Sequence, residues 1–413
     1  MKKTLLIIVI LFLIGMPVFS QNIDLSFYIH EYNRTDATVF DMLDILRAVR
    51  DENRTGIGEF YHNAITVFVQ KLPNFYSNRE RFAVEEASRL ILRGLSAERH
   101  VDSASYIWTL LQYFNISSHQ NDGLLMYEAI VALGLVDAKS YAVHIADLLT
   151  YYNERFDADA VTKGRIPRVA LGCFSALENL KEPIGVKPVF YASIGWYDND
   201  VKAQASNSLE RLMSALDRDI IDVIISVIKD PFNGPIVKNA AWQALLRTGV
   251  SGTSKAKVAV AALEVSYTFV AQSYEARTTL RNLRMTAIDT IRLYGVEDEI
   301  VYPFLERTYR EAFDTPNTDF EVLIEVVKTL QAIKTEQAVD LLTEFLRWNH
   351  SRRQSGPWGN VEKEIMVLLI PAIGATGTQS RTTLQLLFSI SRNSLYTNDE
   401  QQLARNALAV LNR

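Results

Sequence analysis

The chain has 413 residues, 48% of them apolar, and carries 43 Lys and Arg against 48 Asp and Glu for a formal net charge of −5. That balance lacks the clustered basic excess expected of a nucleic-acid binder, and a single cysteine, Cys173, rules out an intrachain disulfide. The length exceeds what one compact core usually holds, a limit that a stack of repeats evades because it grows unit by unit.

At the N-terminus, Met1-Lys2-Lys3, an apolar run from Thr4 to Gly15 and the small residues Val18 and Ser20 have the three parts of a secretory signal peptide. Cleavage is expected after Ser20, leaving a periplasmic or secreted chain, since no later run is long and apolar enough to span a bilayer. The alternative is a retained anchor, which Pro17 and the shortness of the run disfavour. Residues 21–73 are amphipathic but match the later pattern poorly. Val39, Leu43, Ile45 and Leu46 are expected to line a helix that caps an open end of the stack.

From residue 74 onward one pattern returns. It is clearest at Val201, Ala205 and Leu209 and again at Val237, Ala241 and Leu245, each set spaced i, i+4, i+8 as one stripe on a helix. An Asp-containing turn precedes each stripe and another apolar run precedes each turn, so the unit is helix, turn, helix. The same register begins at Ala83, Leu125, Val169, Leu283, Val322, Ile365 and Leu403, at irregular intervals of about 40 residues. This predicts an all-α chain of about eight or nine repeats over residues 74–413. Asp122, Asp198 and Asp319 stand three positions ahead of a mark, and Lys202, Lys238 and Arg284 directly after one.

In these residues the chain resembles the HEAT-repeat, armadillo-like family, whose second helix opens with Asp, then Val-Arg or Val-Lys, a small residue and a Leu. The resemblance implies a right-handed superhelix of stacked antiparallel helix pairs, used as a scaffold or protein-binding surface. It brings no catalytic residue with it.

Motifs of chemistry are sparse. The six histidines form no His-Glu-x-x-His pattern, so no metal site and no cofactor are expected. A Ser-His-acid set assembled from distant positions is left open. The acids Asp157 and Asp159, Asp198 and Asp200, and Asp217 and Asp219 sit before predicted helices, where capping explains them better than calcium. Gly374 to Ser380 lacks the Lys of a phosphate loop and reads as a helix terminator between the two members of a pair. Cys173 takes the small-residue place in its stripe and is expected to be a buried thiol. Arg277, Arg281 and Arg284 form a basic stripe expected to be a solvated face paired locally with acids.

Two long connections are expected, at residues 151–168 and 347–360. The second supplies the protein-binding candidates Arg347, Trp348, Arg352, Arg353 and Trp358, residue types that dominate binding hot spots. The opposing view is that Trp348 and Trp358 are packing residues at helix ends. The leading functional expectation is an exported, non-enzymatic scaffold that docks another protein in a concave groove lined by the second helices, or through such loops. The alternatives are an all-α toroid acting on glycans with cavity carboxylates, and an element that assembles with itself.

Overall fold

The structure is a computed structural model that describes residues 25–75, 78–116, 122–217, 219–247, 249–295, 299–314, 319–355, 359–378 and 380–412. Residues 1–20, expected to be a signal peptide, and Trp358 lie outside the described residues. Among those described there are 20 α-helices and no strand, in two compact units, Met1–Arg218 and Asp219–Arg413.

The first unit holds five pairs: α1 (Leu25–Tyr32) with α2 (Val39–Asp51), α3 (Gly58–Lys71) with α4 (Asn78–Glu98), α5 (Ala104–Tyr113) with α6 (Leu124–Leu135), α7 (Ala142–Asn153) with α8 (Ala160–Leu180), and α9 (Val186–Ile194) with α10 (Asn199–Leu216). The even-numbered helices also pack in series, α2 on α4, α4 on α6, α6 on α8 and α8 on α10. The second unit repeats this scheme. Its pairs are α11 (Ile220–Lys229) with α12 (Pro235–Arg247), α13 (Gly252–Thr268) with α14 (Tyr274–Tyr294), α15 (Val301–Asp314) with α16 (Phe320–Ile333), α17 (Glu336–Ser355) with α18 (Asn360–Thr376), and α19 (Arg381–Arg392) with α20 (Asn398–Leu411). Its even-numbered helices again pack in series from α12 to α20. The segment expected to cap the stack thus itself contributes the pair α1 and α2, with Val39, Leu43 and Leu46 buried and Ile45 half-buried.

Starts and stops of the helices follow from short polar side chains. Asp159, Asp198, Asp219 and Asp319 each accept backbone N–H groups as N-caps, satisfying donors that a first turn leaves without partners. At the other end Lys181, Asp217 and Lys334 adopt left-handed backbone as C-caps. Gly377, with φ 71°, ends α18. That terminator lies between successive pairs and not within one, because α18 pairs with α17 and stacks on α20.

The stripes face inward. Ala83, Ala87 and Ile91 are fully buried, as are Val169, Cys173 and Leu177 and also Leu283, Ala287 and Ile291. In α12 Ala241 and Leu245 are fully buried as expected, and only the first position of the stripe differs. Val237 is half-buried while Lys238 is fully buried, because its Nζ donates to the Ile228 and Asp230 carbonyl oxygens at 2.6 Å each, where α11 ends with unsatisfied acceptors. Arg284 does the same for α13, donating to Ser266 O at 3.2 Å. In these two pairs the basic residue that follows the mark closes the C-terminal end of the preceding helix.

Both expected long connections are shorter. Residues 160–168 belong to α8, with Asp159 Oδ1 accepting from Val161 N and Thr162 N at 3.0 Å and with Ile166 buried, so Pro167 sits inside the helix. Residues 347–355 are the last turns of α17, held there by buried polar bonds: Asn349 Nδ2 donates to Tyr309 OH at 2.9 Å, and His350 Nδ1 lies 2.5 Å from Tyr396 OH.

Glycine permits a close approach of α6 and α8. A Cβ on Gly134 of α6 would stand 2.6 Å from the Cα of Ala176 in α8, and one on Gly172 would stand 3.1 Å from the Tyr127 ring. No larger side chain fits between these two backbones without moving them.

Candidate functional site

In the first unit the even-numbered helices α6, α8 and α10 line a cavity of about 530 Å³, by Tyr127, Leu171, Ser175, Glu178 and Arg211 and, deeper, the buried Phe174 and Ser208, among others. Tyr127 also borders a hollow of about 330 Å³ between α4 and α6, with Arg93, Glu128 and Leu135. The two share Tyr127 and together border four successive even-numbered helices, forming the candidate groove. The positions follow from helical geometry: Tyr127 and Leu171 lie two residues after their marks, and Leu135, Asn179 and Arg211 ten after, about half a turn from the buried stripe.

The charges in the groove are layered. Arg93 pairs with Glu128 at 3.0 Å, their side chains 70% and 16% exposed, and Arg211 pairs with Glu178 at 2.7 Å, 58% and 27% exposed. In both, the acid is the sunken partner and the guanidinium the one that meets water. Arg89 reaches Glu128 at 3.4 Å from the same side, and Arg47 reaches Glu86 at 2.9 Å one seam earlier. At the groove's end Arg168 pairs with the exposed Asp122. The mixture of aromatic area, hydroxyl and amide groups and charged heads suits recognition of an extended or helical polypeptide.

The four described candidates from the sequence do not form one patch. Trp348 packs edge-on against Phe313 at 4.6 Å, and Arg352 lies over both rings, 4.7 Å from Phe313 and 5.3 Å from Trp348. Arg347 pairs with Glu344 at 2.6 Å on its own helix. Arg353 donates Nε to Leu395 O at 2.9 Å and ties down the turn before α20. The basic stripe of α14 meets acids, but from across the seam and not locally: Arg281 binds Asp319 through two bonds of 2.7 and 2.9 Å and Glu321 at 2.9 Å. That guanidinium, with the Val322 backbone N–H, holds the Asp319 carboxyl below its ordinary range against the opposing effect of burial.

A second polar cluster gathers at α3 and α5. Ser103 Oγ is contacted by His62 Nδ1 at 2.9 Å and His100 Nδ1 at 3.0 Å, and His100 Nε2 lies 3.5 Å from Glu59. The order acid, imidazole, hydroxyl has the composition of a triad, but Ser103 is fully buried and its oxygen is shared by two imidazoles, so it lacks the open approach a nucleophile needs. Among the described residues no group of three or more His, Cys, Asp or Glu is placed to hold a metal ion, and no helix is long and apolar enough to cross a membrane. Cys173 is buried and burial pushes its thiol well up. The acids Asp159, Asp198 and Asp219 serve as helix caps.

Comparison with known proteins gave no match among family models, curated proteins or solved structures.

Proposed function

We propose that the chain is an exported, non-enzymatic scaffold of the HEAT-like solenoid kind, in which stacked helix pairs form a superhelix. It docks another protein in the groove on the even-numbered helices of the first unit. The observation that carries this reading is the groove itself: two hollows sharing Tyr127 are lined by aromatic, amide and arginine side chains of four successive even-numbered helices while their stripes supply the packing. The carboxylates in it, Glu128 and Glu178, are engaged by arginines, which suits binding better than acid–base chemistry on a glycan. Export is supported by the composition of residues 1–20. We place docking in the groove and not at Trp348, whose ring is already packed on Phe313.

The test is a photo-cross-linking side chain placed at Ser175, in the groove, or at Val143, exposed on α7, in the cells that make the protein. A product of defined added mass from Ser175 alone supports the reading. No product, or equal products from both positions, overturns it.

A further inference from the structure

We infer that the groove of the first unit selects an acidic polypeptide segment, one with carboxylates spaced among small and apolar side chains. The inference rests on the docking reading above and adds the chemistry of the partner.

The layering of charge is what points there. A guanidinium has five N–H donors in a planar fork and suits two carboxylates at once. Arg93 gives Nη2 to Glu128, and Arg211 gives Nε to Glu178, yet both side chains remain mostly in water. The sunken acids hold each arginine through one nitrogen, and both arginines line the groove. Arg168 also lines it, half-exposed and paired with the more exposed Asp122. Between them lie the apolar and uncharged surfaces of Tyr127 and Leu171, with Ser175 and Gln204 as hydrogen-bonding groups. At the Arg93 and Arg211 pairs what approaches from solvent meets the cation first, on a chain whose overall charge is negative. An incoming carboxylate bonds the remaining N–H donors of an arginine without displacing Glu128 or Glu178. A basic segment would have to break those pairs to reach them. Such complementarity sets partner choice and encounter rate, and it weakens with salt.

Three labelled probes test this on the full chain by fluorescence anisotropy at low salt: a twelve-residue peptide of Glu, Leu and Ala, its counterpart with Lys for Glu, and a twelve-nucleotide poly-dT. The expected result is at least about tenfold tighter binding of the acidic peptide than of either other probe, weakening as salt is raised. The triple variant Arg93→Gln, Arg168→Gln, Arg211→Gln should lose about tenfold for the acidic peptide, and Ser175→Trp, which fills the groove, should lose as much with all three arginines present. Thermal melts of both variants establish that they fold. Equal binding of acidic and basic peptides, tighter binding of poly-dT, or wild-type affinity in the triple variant overturns the inference. Should the Ser175 cross-linker capture a partner while the acidic peptide fails, the docking reading survives and the acidic preference falls. If neither gives a signal, both fall.

Discussion

The seam between α6 and α8 in the first unit and the seam between α14 and α16 in the second are held by different means. In the first, Gly134 and Gly172 let the helices touch backbone to side-chain base, and the ion pair at its edge, Arg168 with Asp122, is exposed on both sides. In the second, neither helix contains a glycine. Arg281 forms a forked pair with Asp319, Arg292 lies 3.3 Å from the half-buried Glu325, and Thr329 Oγ1 donates to Ile288 O at 3.3 Å. One seam is closed by shape and the other by polar bridges laid over the same buried stripe. A repeat needs its stripe, and it is free to choose how the margins are finished.

Loss of the stripe should affect both seams alike and most severely. Leu177→Asp in α8 and Leu330→Asp in α16 bury an unpaired charge at fully enclosed positions, and each should cost more than the about 2–5 kcal/mol of a Leu→Ala change. Urea unfolding measures this, and tolerance of either substitution would break the register. Gly134→Leu comes next and affects one seam alone. Its Cβ would fall 2.6 Å from the Ala176 Cα, and overpacking of this kind costs about 1–3 kcal/mol. The α14–α16 seam offers no equivalent glycine.

Arg281→Met should have a smaller effect, on the order of 1 kcal/mol or less for a partly solvent-exposed pair, but with a pH signature. The depressed folded-state pKa of Asp319 means that its contribution is fully present above the ordinary aspartate range and is lost as pH falls through the folded value. Melts of the variant and the wild type should differ at neutral pH and converge in acid, and a constant difference across that range would contradict the assignment. The smallest effect is one of rate. Cys173 lies in the α8 stripe with its thiol pushed up by burial, so a thiol reagent should modify it only when that seam opens. Gly134→Leu should speed the labelling and Arg281→Met should leave it unchanged. Equal acceleration by both would erase the distinction between the seams.

The stripes were legible because close packing demands size and periodicity, which a sequence states directly. Val169, Cys173 and Leu177 lie buried where their spacing placed them, and the Asp residues before helices cap them as their position implied. The burial of Lys238 in α12 was hidden, because it depends on two carbonyls at the end of another helix. The stretch from Arg347 looked like a loop from its Ser, Gly and Pro content, but the bonds that keep Asn349 and His350 in α17 come from Tyr309 and Tyr396, 40 and 46 residues away. The groove was least legible. Arg93 and Arg211 read alone as ordinary solvent-facing residues, and their role depends on the acid that the adjacent helix presents beneath them.

The separation between packing face and proposed binding face is tested most directly by measuring stability and cross-linking together in two variants, Gln204→Trp, exposed in the groove, and Gly134→Leu in the seam, each carrying the Ser175 cross-linker. The account predicts that Gln204→Trp abolishes the cross-linked product with its melting temperature unchanged, while Gly134→Leu lowers the melting temperature. A groove filled by tryptophan that still yields the product, or one that destabilises the chain as much as the seam variant does, would contradict it.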